Sequence, residues 1–274
     1  MQIVHKLQDL NKALILKSSN LIGFVPTMGA LHKGHLSLVR ASAKKSNFTI
    51  VSIFVNPTQF NNKEDLENYP SNLEKDISIL KDEKVDMLFI PEYSELYADE
   101  SPITKSFNEL ENVLEGKHRK GHYKGVVRVL NIFFKLIKPN FAFFGEKDYQ
   151  QYLIVKQISS LYFKNIKIIS CPTYREKSGL AMSSRNSRLS PENFERSKEI
   201  FKVLTFCRDN FNFSNREELE IICFNKLTEF SDPEYFEIRH SDDLLNNGGE
   251  FKIWRAFIAT NLGGVRLIDN IALS

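Results

Sequence analysis

Leu21-Ile22-Gly23-Phe24-Val25-Pro26-Thr27-Met28-Gly29-Ala30-Leu31-His32-Lys33-Gly34-His35 is the stretch on which the reading of the chain turns. Its first five residues form a short apolar run of strand length. Beyond it, Leu36, Leu38, Val39 and Ala43 recur at helical spacing, with Lys44 and Lys45 in a last turn before Asn47. A strand ends near Val25, a turn containing Pro26 and Gly29 follows, and a helix begins near His35. The unpaired N–H groups and the positive dipole end of such a helix favour an anion at this junction. His32 and His35 are three apart, so they can share one helical face and one ligand. Gly34 between them lacks a Cβ, which lets a flat ring or a phosphate approach the backbone. An imidazole can donate to a phosphoryl oxygen and keep donating as charge builds there. His-x-Gly-His at a strand-to-helix turn therefore suits a triphosphate attacked at its α-phosphorus. The same letters also fit a tight turn with two surface histidines. Zinc is disfavoured, because no Cys or His pair elsewhere has ligand spacing.

Outward from this stretch, the chain alternates strand-like and helix-like segments as far as about residue 170. Thr49–Val55 is a second apolar strand ended by Asn56-Pro57, and Thr58–Tyr69 reads as a long loop at its C-terminal end. Pro70 opens a helix through Leu73, Ile77 and Leu80, and Asp86–Ile90 is a third strand closed by Pro91. After a less regular stretch, Glu92–Lys120, Val126–Ile137 reads as a buried helix. Phe141–Phe144 is a fourth strand, Lys147–Leu161 a helix and Ile166–Ile169 a fifth strand. Such alternation predicts an α/β fold: a Rossmann-like parallel sheet with right-handed crossovers and helices on both faces. Ligands of such sheets sit at the C-terminal strand ends. From about residue 175 the character changes. Thr173–Leu189 is a polar, basic loop, followed by helical stretches near Pro191–Cys207 and Arg216–Thr228. Strand-like runs follow at Tyr235–Ile238, Lys252–Thr260 and Val265–Ile268, with Asn246–Gly249 and Asn261–Gly264 as turns. A smaller α+β domain over 175–274, after a first domain over 1–174, is the expected organisation.

Composition bounds the function. The 274 residues, 42% hydrophobic and 26% charged, suit a soluble globular protein of two domains. A net charge of +3 without a dense Lys/Arg block argues against nucleic acid as partner. Cys171, Cys207 and Cys223 form no metal or redox motif and cannot all pair, which points to a reducing cytoplasm. The first residues lack a long apolar h-region, and no run of about 18 apolar residues occurs, so neither secretion nor a membrane span is expected.

Four further stretches carry candidate chemistry, each with a plain alternative. Asn56-Pro57-Thr58-Gln59-Phe60 leaves an amide at a strand end that can serve a hydroxylated acid; alone, it reads better as a loop facing water. Gly145-Glu146-Lys147-Asp148-Tyr149-Gln150-Gln151 repeats the strand–Gly–helix geometry. Lys147, Asp148 and Gln151 fall on one helical face, with Lys147 as a point charge for phosphate and Asp148 as acceptor for ribose hydroxyls. A solvated helix start explains the same residues equally well. Met182-Ser183-Ser184-Arg185 offers two hydroxyls and a guanidinium able to close over a triphosphate, or only a polar turn. Arg119-Lys120-Gly121-His122 is either a lid or a surface loop.

Taken together, Val25–His35, Ser52–Phe60, Phe144–Gln151, Gly179–Asn186 and Arg266-Leu267-Ile268-Asp269-Asn270 closely resemble the pantoate–β-alanine ligase family. The resemblance runs from about Gly23 to Asn270, with the motifs in the family's order. HxGH alone is shared with other nucleotidyl-transferring enzymes, whereas the full set is highly specific. The resemblance implies condensation of (R)-pantoate with β-alanine, ATP being cleaved to AMP and pyrophosphate through a pantoyl-adenylate. It implies the pathway to pantothenate and coenzyme A, Mg²⁺ on the phosphates, small-molecule substrates only, and a homodimer.

The implied site follows the motifs. Met28, Gly29, Ala30, Leu31, His32, Lys33, Gly34 and His35 would hold ATP, with His35 as proton donor. Gly145, Glu146, Lys147, Asp148, Met182, Ser183, Ser184 and Arg185 would complete the nucleotide site, with Tyr174 at the adenine. His32, His35, Lys147 and Arg185 would supply positive charge during the reaction. Gln59 and Gln151 would bind pantoate, Gln59 also lying near β-alanine. No protein ligand of the metal is assigned. The first domain would then bind ATP and pantoate, and the second would act as a lid. The chain departs from the family's usual residues at Ser71 (usually Arg), Lys120 (Pro), Tyr174 (Val) and His240 (Asp). The rival readings are another nucleotidyl transferase, an aminoacyl-tRNA synthetase-like enzyme, for which the chain leaves no room for a sizeable tRNA-binding domain and offers no basic face, and a non-catalytic nucleotide sensor.

Overall fold

Strand β2 (Ile22–Thr27) is an inner strand of a six-stranded sheet, and the helix Lys33–Lys45 that follows it packs on one face of that sheet. The computed structural model describes residues 1–16, 20–98, 108–245 and 253–273. Around β2 stand β1 (Gln2–Val4), β3 (Phe48–Ile53), β4 (Met87–Phe89), β5 (Phe141–Gly145) and β6 (Lys167–Cys171), in the order β1-β4-β3-β2-β5-β6. Every pairing is parallel. The α/β class and the parallel sheet agree with the sequence reading. All six residues of β3 are buried, as expected of a strand covered on both faces. On one face Val25, Val51, Leu88 and Phe143 pack with Leu38, Val39 and Leu80 from two helices. On the other, Phe24 and Phe89 meet Phe133 of helix His122–Ile137 edge to face, with ring centroids 5.6 and 6.0 Å apart. Such rings add about 0.5–1.5 kcal/mol per pair beyond burial. From β2 the chain steps through β3 to β4 in one direction, then returns to place β5 on the other side of β2. The order thus reverses between β2 and β5, and the C-terminal ends of those two strands flank the crevice where parallel sheets bind ligands.

Two local readings differ from the structure. Gln2–Val4 is too short to stand out as a strand in the sequence; it gains its partner only through β4. Thr58–Tyr69 is not one loop: it holds a 3-10 turn at Pro57–Gln59 and a helix at Lys63–Glu67 capped by Asn62. The helix expected from Pro70 starts at Leu73, where the Asn72 side chain accepts from the Lys75 amide.

The chain divides into two compact units, the first of residues 1–107, 119–145 and 154–171, the second of 108–118, 146–153 and 172–274. The sequence suggests one cut near 174; the second unit also takes in two earlier segments. Glu115 explains one of them, since its carboxylate accepts from Arg266 at 2.7 and 2.8 Å and from the Tyr235 hydroxyl at 2.8 Å. The second unit is built on an antiparallel sheet of β7 (Asp232–His240), β8 (Trp254–Leu262) and β9 (Val265–Ala272). Helices Lys198–Asn210 and Arg216–Thr228 bury Leu204, Cys207, Cys223 and Leu227 with Trp254 and Ile258. Gly263 and Gly264, both at positive φ (58° and 77°), form the two-residue turn between β8 and β9, as the primed hairpin turns require. Of the expected elements here, the turn Asn246–Gly249 and Lys252 lie outside the described residues.

Candidate active site

The crevice at the end of β2 is lined by a loop whose amides are already occupied. Thr27 donates its hydroxyl to the Ser52 carbonyl at 2.7 Å and accepts from the Gly29 amide at 3.2 Å. Asp76, on helix Leu73–Asp82, accepts from the amides of Ala30 and Leu31, both at 2.8 Å. It holds Gly29 (φ 81°) and Ala30 (φ 49°) in the left-handed region, a conformation unfavourable for alanine by about 1–2 kcal/mol. Burial raises the Asp76 carboxyl above the usual range, opposed by the two amides and by Lys75.

Next come the two histidines. His32 is the N-cap of helix Lys33–Lys45, and its Nδ1 accepts from the Gly34 amide at 3.1 Å. His35 returns the bond, its Nδ1 accepting from the His32 amide at 3.3 Å. The rings stack with centroids 4.0 Å apart and 34° between planes. A ring nitrogen that accepts an N–H bond is unprotonated, so each neutral imidazole carries its proton on Nε2. The helix therefore starts at Lys33, earlier than the sequence suggests. The amides of Gly29, Ala30, Leu31, His32 and Gly34 all have partners within the chain.

Gln59 stands beside this loop. Its Nε2 donates to Met28 Sδ at 2.9 Å, and its Oε1 accepts from Asn56 Nδ2 at 3.1 Å. Asn56 itself is buried, donating also to the Gly125 carbonyl and accepting from Thr58 and the Tyr97 hydroxyl. The Gln59 main chain is held by helix His122–Ile137. His122 Nδ1–H donates to the Gln59 carbonyl at 2.7 Å, while Arg119 donates to His122 Nε2 at 3.2 Å. A Cβ at Gly125 would stand 2.3 Å from the Thr58 carbonyl oxygen, so only glycine lets the loop come this close. Arg119 and His122 are thus braces for the Gln59 turn. Lys120 accepts at its carbonyl from Asn61 Nδ2, and Ser71 is exposed.

Gly145 of β5 leads directly into a 3-10 turn, Glu146–Asp148, before helix Tyr149–Tyr162. Lys147 and Asp148 thus precede the helix proper instead of forming its first face with Gln151. Lys147 Nζ lies 3.4 Å from Asp148 Oδ1, with the lysine side chain mostly sheltered. Gln150, not Gln151, is the buried member of the pair, spent on the carbonyls of Leu110 and Val113 and the Glu115 amide. Gln151 stays partly exposed. Tyr174 and Met182 face each other across a turn closed by Met182 N–H to Tyr174 O (3.0 Å) and an Arg175–Ala181 bridge. Tyr174 is 40% exposed. Ser183 caps the 3-10 turn Ser184–Arg188, accepting from the Arg185 amide at 3.3 Å. His240 belongs to the interior of the second unit, bonded to Asp243 and edge-on to Trp254.

Sequence reasoning assigns no role to Asp76, Gly125, Arg175, Arg255, Asp269 and Asn270. Two of them leave a trace. Asp76 interrupts the apolar face of Leu73, Ile77 and Leu80, and Asp269 sits at an inward position of the alternation Val265-x-Leu267-x-Asp269. A polar residue on a buried face needs a partner.

Comparison with known proteins supplies the family. Residues 2–272 match the family described as pantoate-beta-alanine ligase. The pantothenate synthetase of Christiangramia forsetii is 45% identical over the whole of both chains. Among solved structures, that of pantothenate synthetase from Thermus thermophilus superposes with a TM-score of 0.88 at 34% identity, covering 99% of each chain. The pantoate-beta-alanine ligase of Francisella tularensis, complexed with beta-gamma ATP and beta-alanine, gives 0.82 at 40% identity, covering 99% of this chain and 97% of the other. A match along nearly the whole length, with the sheet order and the two-histidine turn in place, leaves one conclusion: this chain belongs to the pantoate–β-alanine ligase family.

Proposed function

We propose that the protein condenses (R)-pantoate with β-alanine, using ATP and releasing AMP and pyrophosphate. In the first step a pantoate carboxylate oxygen attacks the α-phosphorus and pyrophosphate leaves, giving a pantoyl-adenylate. In the second the β-alanine amine attacks the acyl carbon, AMP leaves, and a proton is released from nitrogen. The observation that carries the reading is the preset His32–His35 pair at the switch point of the sheet, in a chain of this family.

The first step brings anion towards anion, so alignment and positive charge matter more than covalent chemistry. His32 and His35 donate from Nε2 to the phosphoryl oxygens as charge develops there. Lys147, next to Asp148, supplies a point charge, and Arg185 with Ser183 and Ser184 forms the loop that lies over the triphosphate. Met28 to His35, Gly145 to Asp148 and Met182 to Arg185 bind the nucleotide, with Tyr174 at the adenine. Gln59, its amide oriented by Asn56, reads the pantoate hydroxyls and lies near β-alanine; Gln151 is the second pantoate amide. Family membership supports these roles, and the local geometry within each unit suits them. Among the described residues no three His, Cys, Asp or Glu side chains form a metal cluster. Mg²⁺, when bound on the phosphates, would neutralise charge there; no protein ligand is assigned to it. We further infer a homodimer working in the cytoplasm. No described helix is long and apolar enough to cross a membrane.

The deciding experiment is AMP formation by the purified protein. Strict dependence on both pantoate and β-alanine is expected. AMP formed without either, or ATP bound with no turnover, would transfer the chain to the rival readings of a different transferase or a sensor.

A further inference from the structure

Lys147 sits on a three-residue turn, and a turn that short does not fix its own direction. Its two carbonyls at Glu146 and Lys147 are held from outside, by a strand more than a hundred residues away. Asn270 of β9 donates both protons of its side-chain amide, to the Glu146 carbonyl at 2.9 Å and to the Lys147 carbonyl at 2.9 Å. Its Oδ1 accepts from Arg255 of the neighbouring strand β8. No hydrogen-bonding capacity of the amide's donors is left over.

The frame behind Asn270 is equally committed. Its main-chain N–H donates to Asp269 Oδ1 at 2.7 Å, and its carbonyl accepts from Arg175 at 3.2 Å. Asp269 is 3% exposed and receives both arms of Arg175, at 2.6 and 3.0 Å. Arg175 lies over the Phe201 ring, 4.1 Å from its centroid, and donates to the Gly179 carbonyl. Arg255 stacks on Tyr149, the residue after the turn, at 4.0 Å, and faces Glu146 at 3.7 Å. The turn is therefore gripped at its carbonyls by Asn270 and at its far end by Arg255.

We propose that Asn270 is a positioning residue for Lys147, setting the direction from which the ammonium group meets the phosphates. This rests on the reading of Lys147 given above. A donor displaced by about 1 Å loses most of its advantage in a charge-developing step, while ground-state binding tolerates the shift. Asn270 therefore acts on the rate of adenylation more than on ATP affinity, and only through Lys147.

A double-mutant cycle tests this. Adenylation is followed as pantoate-dependent pyrophosphate release in Asn270→Ala, Lys147→Ala and the double variant. Asn270→Ala is expected to lower kcat about 10- to 100-fold with the ATP KM changed less than about threefold, the loss expected when a transition-state interaction alone is removed. In the Lys147→Ala background the same substitution is expected to cost less than about threefold. Equal losses in both backgrounds overturn the proposal, as does Asn270→Ala with wild-type kcat. If Asn270→Ala does not fold by circular dichroism, the isosteric Asn270→Asp, which keeps the volume and removes both donors, takes its place in the cycle. Loss of fold in both variants assigns Asn270 to stability alone and also overturns the proposal. Wild-type turnover of pantoate, measured alongside, tests the underlying reading independently of the cycle.

Discussion

Replacing His35 by alanine and by asparagine separates two roles that the structure combines in one ring. The Nδ1 atom closes the helix start by accepting from the His32 amide at 3.3 Å, and in the proposed reaction Nε2 carries the proton offered to the phosphoryl group. Losing a cap acceptor costs about 0.5–2 kcal/mol, typically near 1. For a protein of this size that lowers Tm by a few degrees, about 2–4 °C. With a total stability of roughly 5–15 kcal/mol, such a loss leaves nearly all molecules folded and cannot by itself slow turnover measurably. Losing one donor to a charge-developing oxygen costs far more, about 10²–10³ in rate, or roughly 2.7–4 kcal/mol. His35→Ala removes both functions. His35→Asn keeps an acceptor near the Nδ1 position and removes the Nε2–H. The expected result is a Tm deficit in His35→Ala that His35→Asn largely restores, with adenylation slowed about 100-fold or more in both. The assays are thermal melts and pantoate-dependent pyrophosphate release, with the second half-reaction started from supplied pantoyl-adenylate as control. That control is expected to be affected much less. Wild-type adenylation in His35→Asn would refute the donor role and leave His35 as a cap. Equal loss in both half-reactions would point instead to a general defect of binding.

Four further outcomes are expected. Gln59→Ala and Gln151→Ala should each raise the pantoate KM about 10- to 100-fold with ATP binding near normal, since an unpaired buried hydroxyl costs about 1–3 kcal/mol; normal pantoate saturation in both would remove pantoate as the acid. Gly125→Ala brings a Cβ within 2.3 Å of the Thr58 carbonyl oxygen, so the Gln59 turn must move, and the pantoate KM should rise about tenfold with ATP KM unchanged. Ser184→Ala and Arg185→Ala should lower the adenylation rate more than ATP affinity, as for a loop that tightens in the transition state; weaker ATP binding with an unchanged saturated rate would make it a simple binding loop. For Asp76 the pKa is raised by burial, so its titration contributes stability that is full below the unfolded value of about 3.9 and is lost as pH rises through the folded value. Denaturant unfolding of the wild type against Asp76→Asn should therefore show the largest wild-type advantage at low pH, shrinking on the way to neutrality; an advantage that grows with pH would show that the two amides outweigh burial.

Much of the first unit is legible in the sequence because its information is local. The strand run before Pro26, the helical spacing after His35 and the repeated alternation lie within a few residues of one another, and so does the reciprocal cap of His32 and His35. The cap itself is not readable there, although its two members stand out, because a histidine serving as N-cap depends on ring orientation. Local pattern places Gln59 at a strand end but leaves its amide direction open, since Asn56, Gly125 and Met28 set it jointly.

What the sequence alone determined is the parallel α/β sheet, the two-histidine turn at the end of its central strand, and, through the motif set, the family. The sheet and the turn follow from periodicity and short-range hydrogen bonding, which act over less than one element, whereas the family rests on the resemblance of the motifs. Only the tertiary structure decided that Asp76, about 45 residues on, holds the loop before the histidines. It alone decided that Asn270, 123 and 124 residues on from its partners, holds the Lys147 turn. It also placed the segments 108–118 and 146–153 in the second unit, ahead of the rest of that unit in sequence order. The physical reason is the same in each case. A buried carboxylate or amide needs a partner, but its own neighbours do not specify which one; packing of distant elements brings that partner within about 3 Å.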